Sequence, residues 1–244
     1  DGNIGATGDA NAYLDVSATT LDVTTTVNDA TTAGGIFLSQ KTDQATILNV
    51  DVTDTTTVGN IFITSVGDLT VGTVISGGGT AKGNVTLATT KVGGVIDEQS
   101  DNTTVKITGL VVTLNAVGDI GDDADANAYL DVAATGLDVT TTANGGVSGS
   151  VYLSQLTDQV TDLTLDTADA VTAGNIFLTS AGNLSVINVV SGGASGLGNV
   201  TLATTKTSGT IDEKVDNNNL KITGSTVKLD SSGNIGAVGD VNEY

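Results

Sequence analysis

The chain has 244 residues and carries 28 acidic side chains against 8 lysines and no arginine, a formal net charge of −20 that repels nucleic acid and anionic lipid surfaces and sets it against both as partners. It contains 32 glycines but no Pro, Cys, Met, Trp or His, which removes disulfides, thiolate metal sites and the commonest general base of catalysis. No run of about 18 apolar residues exists, so membrane insertion as a helix is excluded.

In chain order, residues 1–33 open with a short strand at Asn3 and Ile4 and a turn through Thr7, Gly8 and Asp9, followed by strands at 13–16 and 21–26. Leu14 and Val16 share one face and Asp15 the other, the period of two that marks a strand with one side in and one side out. Residues 34–58 carry Ile36-Phe37-Leu38, then Leu48, Val50 and Val52 alternating with Asn49 and Asp51. Residues 59–82 repeat the plan with strands at 61–64 and 69–71 before a glycine run at 77–79. Residues 83–117 form the longest unit, with strands at 85–89, 95–96, 105–107 and 111–114 and acidic turn material at 97–101. Asp, Asn, Gly and Ser at the breaks supply the positive φ and local side-chain hydrogen bonds that turns require.

From there the plan starts again. GNVTLATTK at 83–91 returns letter for letter at 198–206, an offset of 198 − 83 = 115, and near the start the offset is one larger, so that residues 9–16 reappear at 125–132. The chain therefore divides into copy 1 (1–116), copy 2 (117–231) and the start of a third (232–244), with no linker. Within each copy a glycine, a small or polar residue and a β-branched residue recur, at Gly2, Gly34, Gly59, Gly83, Gly118, Gly149, Gly174, Gly198 and Gly233. The spacings are 32, 25, 24 and 35, then 31, 25, 24 and 35. Such periods belong to units that cannot bury their own apolar face and must stack. They predict an all-β fold, a right-handed parallel β-helix (β-solenoid) with three short strands per circuit and about four rungs per repeat of 115–116 residues. Ile4, Ile36, Ile61 and Val85 would form one inward ladder, with Leu38, Ile63 and Leu87 beside them. At about 4.8 Å per rung, one copy would advance roughly 19 Å.

The alternation of GNIG with GNVTL-type and GDLTV-type segments resembles the repetitive shafts of filamentous-haemagglutinin-like secreted proteins, large bacterial surface adhesins. The resemblance covers nearly the whole chain, and what it implies is a parallel β-helical fibre outside a bacterial cell. The expected function is a structural repeat segment of an extracellular stalk, coat or adhesin shaft, with further copies at both ends. The alternative is a carbohydrate-binding or carbohydrate-cleaving β-helix.

Catalysis is not expected. The best carboxylate pairs, Asp97-Glu98 and Asp212-Glu213, are adjacent residues that a strand sends to opposite faces, and they read as solvated turn residues. Almost every distinctive residue also occurs twice, whereas a catalytic site is singular. For metal, in-register rungs would bring Asp15 near Asn49 and Asp51 on one outer face, and Asp131 near Asp166 in the second copy, offering oxygen ligands to calcium. The same residues also read as the polar outward halves of alternating strands. The aromatics fall in repeated columns: Tyr13, Tyr129 and Tyr244; Phe37 with Tyr152; Phe62 with Phe177. Strand parity points Phe37 and Phe62 away from the core, so Phe37, Phe62, Tyr152 and Phe177 form a candidate contact surface for another filament or a glycan, or else stack on one another to stiffen the sheet.

Overall fold

A computed structural model describes residues 2–8, 12–26, 34–53, 59–77, 81–123, 128–143, 148–167, 171–192, 196–217 and 219–236. Tyr244 lies outside them. The regular elements are all β-strands. Copy 1 holds β1 (Leu14–Val16), β2 (Thr20–Thr26), β3 (Ile36–Gln40), β4 (Thr46–Thr53) and β5 (Ile61–Ser65). It continues with β6 (Leu69–Ser76), β7 (Val85–Thr89), β8 (Ile96–Glu98), β9 (Ile107–Thr108) and β10 (Val111–Ala116). Copy 2 holds β11 (Leu130–Ala133), β12 (Gly136–Thr141), β13 (Val151–Gln155), β14 (Thr161–Asp166) and β15 (Ile176–Ser180). It ends with β16 (Leu184–Val190), β17 (Val200–Thr204), β18 (Ile211–Glu213), β19 (Ile222–Thr223) and β20 (Val227–Asp230).

These strands pair in parallel into two sheets that form a β-solenoid. Sheet 1 runs β1-β3-β5-β7-β10-β12-β14-β16-β18, and sheet 2 runs β2-β4-β6-β9-β11-β13-β15-β17-β20. Successive strands alternate between them, so a circuit contains two strands rather than the three expected, and each strand is correspondingly longer. The expected ladder is present: Ile4 bridges Ile36, Ile36 pairs with Ile61, and Ile61 with Val85. It continues through Val112, Leu137, Leu163 and Val186, which crosses from copy 1 into copy 2 without a break in register. The inward members from Ile36 to Val186 are all buried. In β5, β7, β15 and β17 buried and half-buried residues alternate strictly, as the period of two required. Each fully buried Val, Ile or Leu contributes about 1.5–3 kcal/mol of transfer free energy.

The glycine markers make the corners. A Cβ on Gly174 would lie 1.9 Å from the carbonyl oxygen of Gly149, and one on Gly149 would lie 2.0 Å from that of Gly118. Gly34, Gly59 and Gly83 approach the preceding marker's carbonyl in the same way. Close backbone approach between rungs, not positive φ, is what excludes a side chain there. Hydroxyls complete the corner: Thr25 donates to the carbonyl of Gly34, Ser76 to that of Gly59, Thr141 to that of Gly149 and Ser191 to that of Gly174.

The copies are related by a half turn. β8 and β9 both lie along β6, Leu69 opposite Ile96 and Val74 opposite Ile107, so they are one strand line interrupted by an excursion at 99–106. Copy 1 thus fills nine strand positions, and nine at two per circuit make four and a half circuits, in place of about four. Because nine is odd, equivalent residues change sheets: β3, β5 and β7 lie in sheet 1, and their counterparts β13, β15 and β17 in sheet 2.

Candidate functional site

The outward aromatics form two triads, one per copy. Phe37 and Phe62, register partners in β3 and β5, stack with ring centroids 5.4 Å apart and 13° between planes, and Tyr13 tilts against both at 6.0 and 6.4 Å. In copy 2 Tyr152 stacks on Phe177 at 5.3 Å and 9°, with Tyr129 at 6.0 Å from Tyr152. Phe37 and Tyr152 are buried at 5% and 7% exposure, while Phe62 and Phe177 remain half-buried. Burial raises the pKa of the Tyr152 hydroxyl, which lies 3.4 Å from Asp123. What each triad offers to a partner is the half-buried pair Tyr13 and Phe62, or Tyr129 and Phe177, since Phe37 and Tyr152 are covered. The half turn puts the two triads on opposite sheets.

The acidic pairings behind the calcium expectation do not form. Asp15 sits in sheet 1 beside Ser39 and makes an ion pair with Lys41 at 3.1 Å, whereas Asp51 sits in sheet 2 between Thr24 and Ile75. Asp131 is in sheet 2 next to Ser154, and Asp166 is in sheet 1 next to Thr140 and Val190. With two strands to a circuit, the 51 − 15 = 36 and 166 − 131 = 35 residues between the partners span about a circuit and a half and end on the opposite face. Among the described residues no group of three or more Asp or Glu is placed to hold a metal ion.

The ends of the carboxylate pairs diverge as strand geometry requires, but Glu98 is not a solvated turn residue. It lies opposite Val71 and is 5% exposed. Its Oε1 accepts the Asn102 N–H at 3.0 Å, and its Oε2 is buried with no hydrogen-bond partner among the described residues. Burial pushes its pKa up to about 7, against the pull of the Asn102 amide and of Lys106; Asp131 and Asp97 push it further up. Asp131, 2% exposed, also has a buried oxygen, Oδ2, without a partner among the described residues, and burial raises its pKa to about 6 although Ser154 and Lys106 oppose this. Lys106 is itself 5% exposed, and its N–H donates to the carbonyl of Asp131 at 2.9 Å. The counterparts in copy 2, Glu213 and Lys221, form an ion pair at 3.7 Å with side chains 12% and 18% exposed.

On the outer side of the same rungs lies a depression of about 310 Å³ lined by Asp97, Asp119, Asp122, Asp123 and Tyr152. Burial raises the pKa of Asp97, with Asp122, Asp101 and Asp119 adding to the effect. Neither this depression nor the Glu98–Asp131 cluster was visible in the sequence as a site. The signal was available only as an exception to the repeat: a 116-residue shift places Asn3, Ala6 and Thr7 where copy 2 has Asp119, Asp122 and Asp123. A second structural motif was also missed. Gln40 and Gln155 are fully buried, their amide nitrogens donating to Thr46 and to Thr161, with further bonds to the carbonyls of Ala18 and Ala134.

Comparison with protein families, with curated proteins and with solved structures finds no match to this chain.

Proposed function

We propose that this chain is a structural segment of a long extracellular fibre, a stalk, coat or adhesin shaft on a bacterial surface, and that it carries out no catalysis. The observation that carries this reading is the passage of the apolar ladder from Val85 through Val112 to Leu137 in unbroken register. A copy joins the next as one rung joins another, so adding copies lengthens the rod without a linker and without a new interface. The resemblance to filamentous-haemagglutinin-like shafts supports a place outside the cell, and the strong negative charge keeps long particles apart in solution. A carbohydrate-binding role is the second reading, favoured by the half-buried rims of Phe62 and Phe177.

The test is electron microscopy of concatemers carrying two, three and four copies. Each added copy is expected to lengthen an unbranched rod by about 22 Å, four and a half rungs of about 4.8 Å. Particles whose length does not grow with copy number would sink the fibre reading. Binding of an immobilised glycan that is lost in Phe62→Ala and Phe177→Ala would favour the second reading instead.

A further inference from the structure

The charges gathered where copy 1 meets copy 2 point to a device within the chain that does not depend on whether copies continue into a fibre. On one sheet the copies meet through β10 and β12, and on the other through β8 and β9 from copy 1 and Ile120 and β11 from copy 2, joined by the pairs Ile96 with Ile120 and Ile107 with Val132. Glu98 and Asp131 face this seam from the two sides, both nine-tenths buried or more, each with a carboxylate oxygen that no donor reaches among the described residues. The neighbouring positive group is Lys106, which acts on both. Asp97 and Asp101 add negative charge from copy 1, and Asp119, Asp122 and Asp123 from copy 2. A buried carboxylate without donors is costly when ionised and tolerable when protonated.

We propose that the seam between the copies is a proton-operated joint, in which Glu98 and Asp131 take up protons as the copies close on each other and release them as the copies part. The direction follows from the two states. In the open seam Glu98 is solvated and titrates near the ordinary 4.5, and in the closed seam near 7. The closed form therefore holds the extra proton, its stability is complete below about pH 4.5, and that stability is lost as pH rises through 7. Asp131 acts in the same sense over the lower part of the window, between 3.8 and about 6.

Hydrogen exchange of the full chain, followed by mass spectrometry from pH 5 to pH 8 and corrected for intrinsic exchange, tests the joint. The Lys106 and Gly109 amides, which donate across the seam to Asp131 and Ala133, are the reporters. Opening there is expected to rise about a hundredfold from pH 5 to pH 6, where both carboxyls are linked, about tenfold from pH 6 to about pH 7, and then to level off. Amides within copy 1, such as Ile61 and Val66, are expected to stay flat. Glu98→Gln should remove most of the slope, and Asp131→Asn a smaller part at the acid end. Should Glu98→Gln not fold, Lys106→Met serves in its place: loss of the lysine leaves the carboxylates harder to ionise and moves the levelling-off to higher pH. A slope unchanged by these substitutions, or an equal slope at Ile61, overturns the proposal. So does closure of the seam at pH 8 by calcium chloride, which would make it a cation site.

Discussion

Gly174 concentrates what a single residue decides in this molecule. Its neighbour across the rung is backbone, the Gly149 carbonyl, which cannot swing aside as a side-chain tip can. Gly174→Ala is therefore expected to lower stability by on the order of 3 kcal/mol, among the larger effects of a single substitution. Gly2→Ala, where a Cβ meets nothing within 4 Å, should leave it within about 0.5 kcal/mol. Urea denaturation of the two variants compares them directly, and equal midpoints would show that the corners do not depend on close approach. The same residue shows why the repeat was legible: a position that tolerates only one amino acid prints a fixed letter at every circuit. Glu98 shows the opposite. Its raised pKa comes first from burial and then from Asp131 on the rung that follows, a fact of neighbourhood that the letter does not carry.

The strand is the scale at which sequence and structure agreed most closely, since alternation is a property of the strand itself and needs no knowledge of what lies opposite. Ile36, Ile61 and Val85 were placed inward, and Phe37 and Phe62 outward, on parity alone, and the structure has them so. The number of strands in a circuit was not legible in this way. A spacing of 24 or 25 residues fits two long strands or three short ones, and only pairing distinguishes them. Asp15 with Asp51 and Asp131 with Asp166 fell apart for that reason. The interrupted strand formed by β8 and β9 was equally hidden, because an excursion at 99–106 looks in sequence like another turn. The stacked rings allow a test at this scale. Thr86 follows Phe62 in register, so Thr86→Phe would extend the Phe37–Phe62 stack by one ring and should raise stability by about 0.5–1.5 kcal/mol, visible as a higher thermal midpoint. A lower midpoint would mean that the column has no room for a third stacked ring.

For the whole molecule the decisive feature is the odd number of strand positions in a copy. It can be checked by oxidation, because the chain has no native cysteine to interfere. Thr113 and Asp138 are register partners across the junction, close enough for the geometry a disulfide needs, so Thr113→Cys/Asp138→Cys is expected to cross-link. Asp131→Cys/Asp166→Cys, on opposite sheets, should stay reduced. The reverse result would overturn the two-strand circuit from which the half turn between copies is counted. If it stands, the odd count bears on how straight such a rod can be. Any bias within one module, from bulky rings swelling one side or crowded charge splaying one edge, would bend a column of identical modules steadily the same way until it curled into a coil. Here the next module presents its bias to the opposite side and cancels the first, so a long array keeps its course although no single module is symmetric.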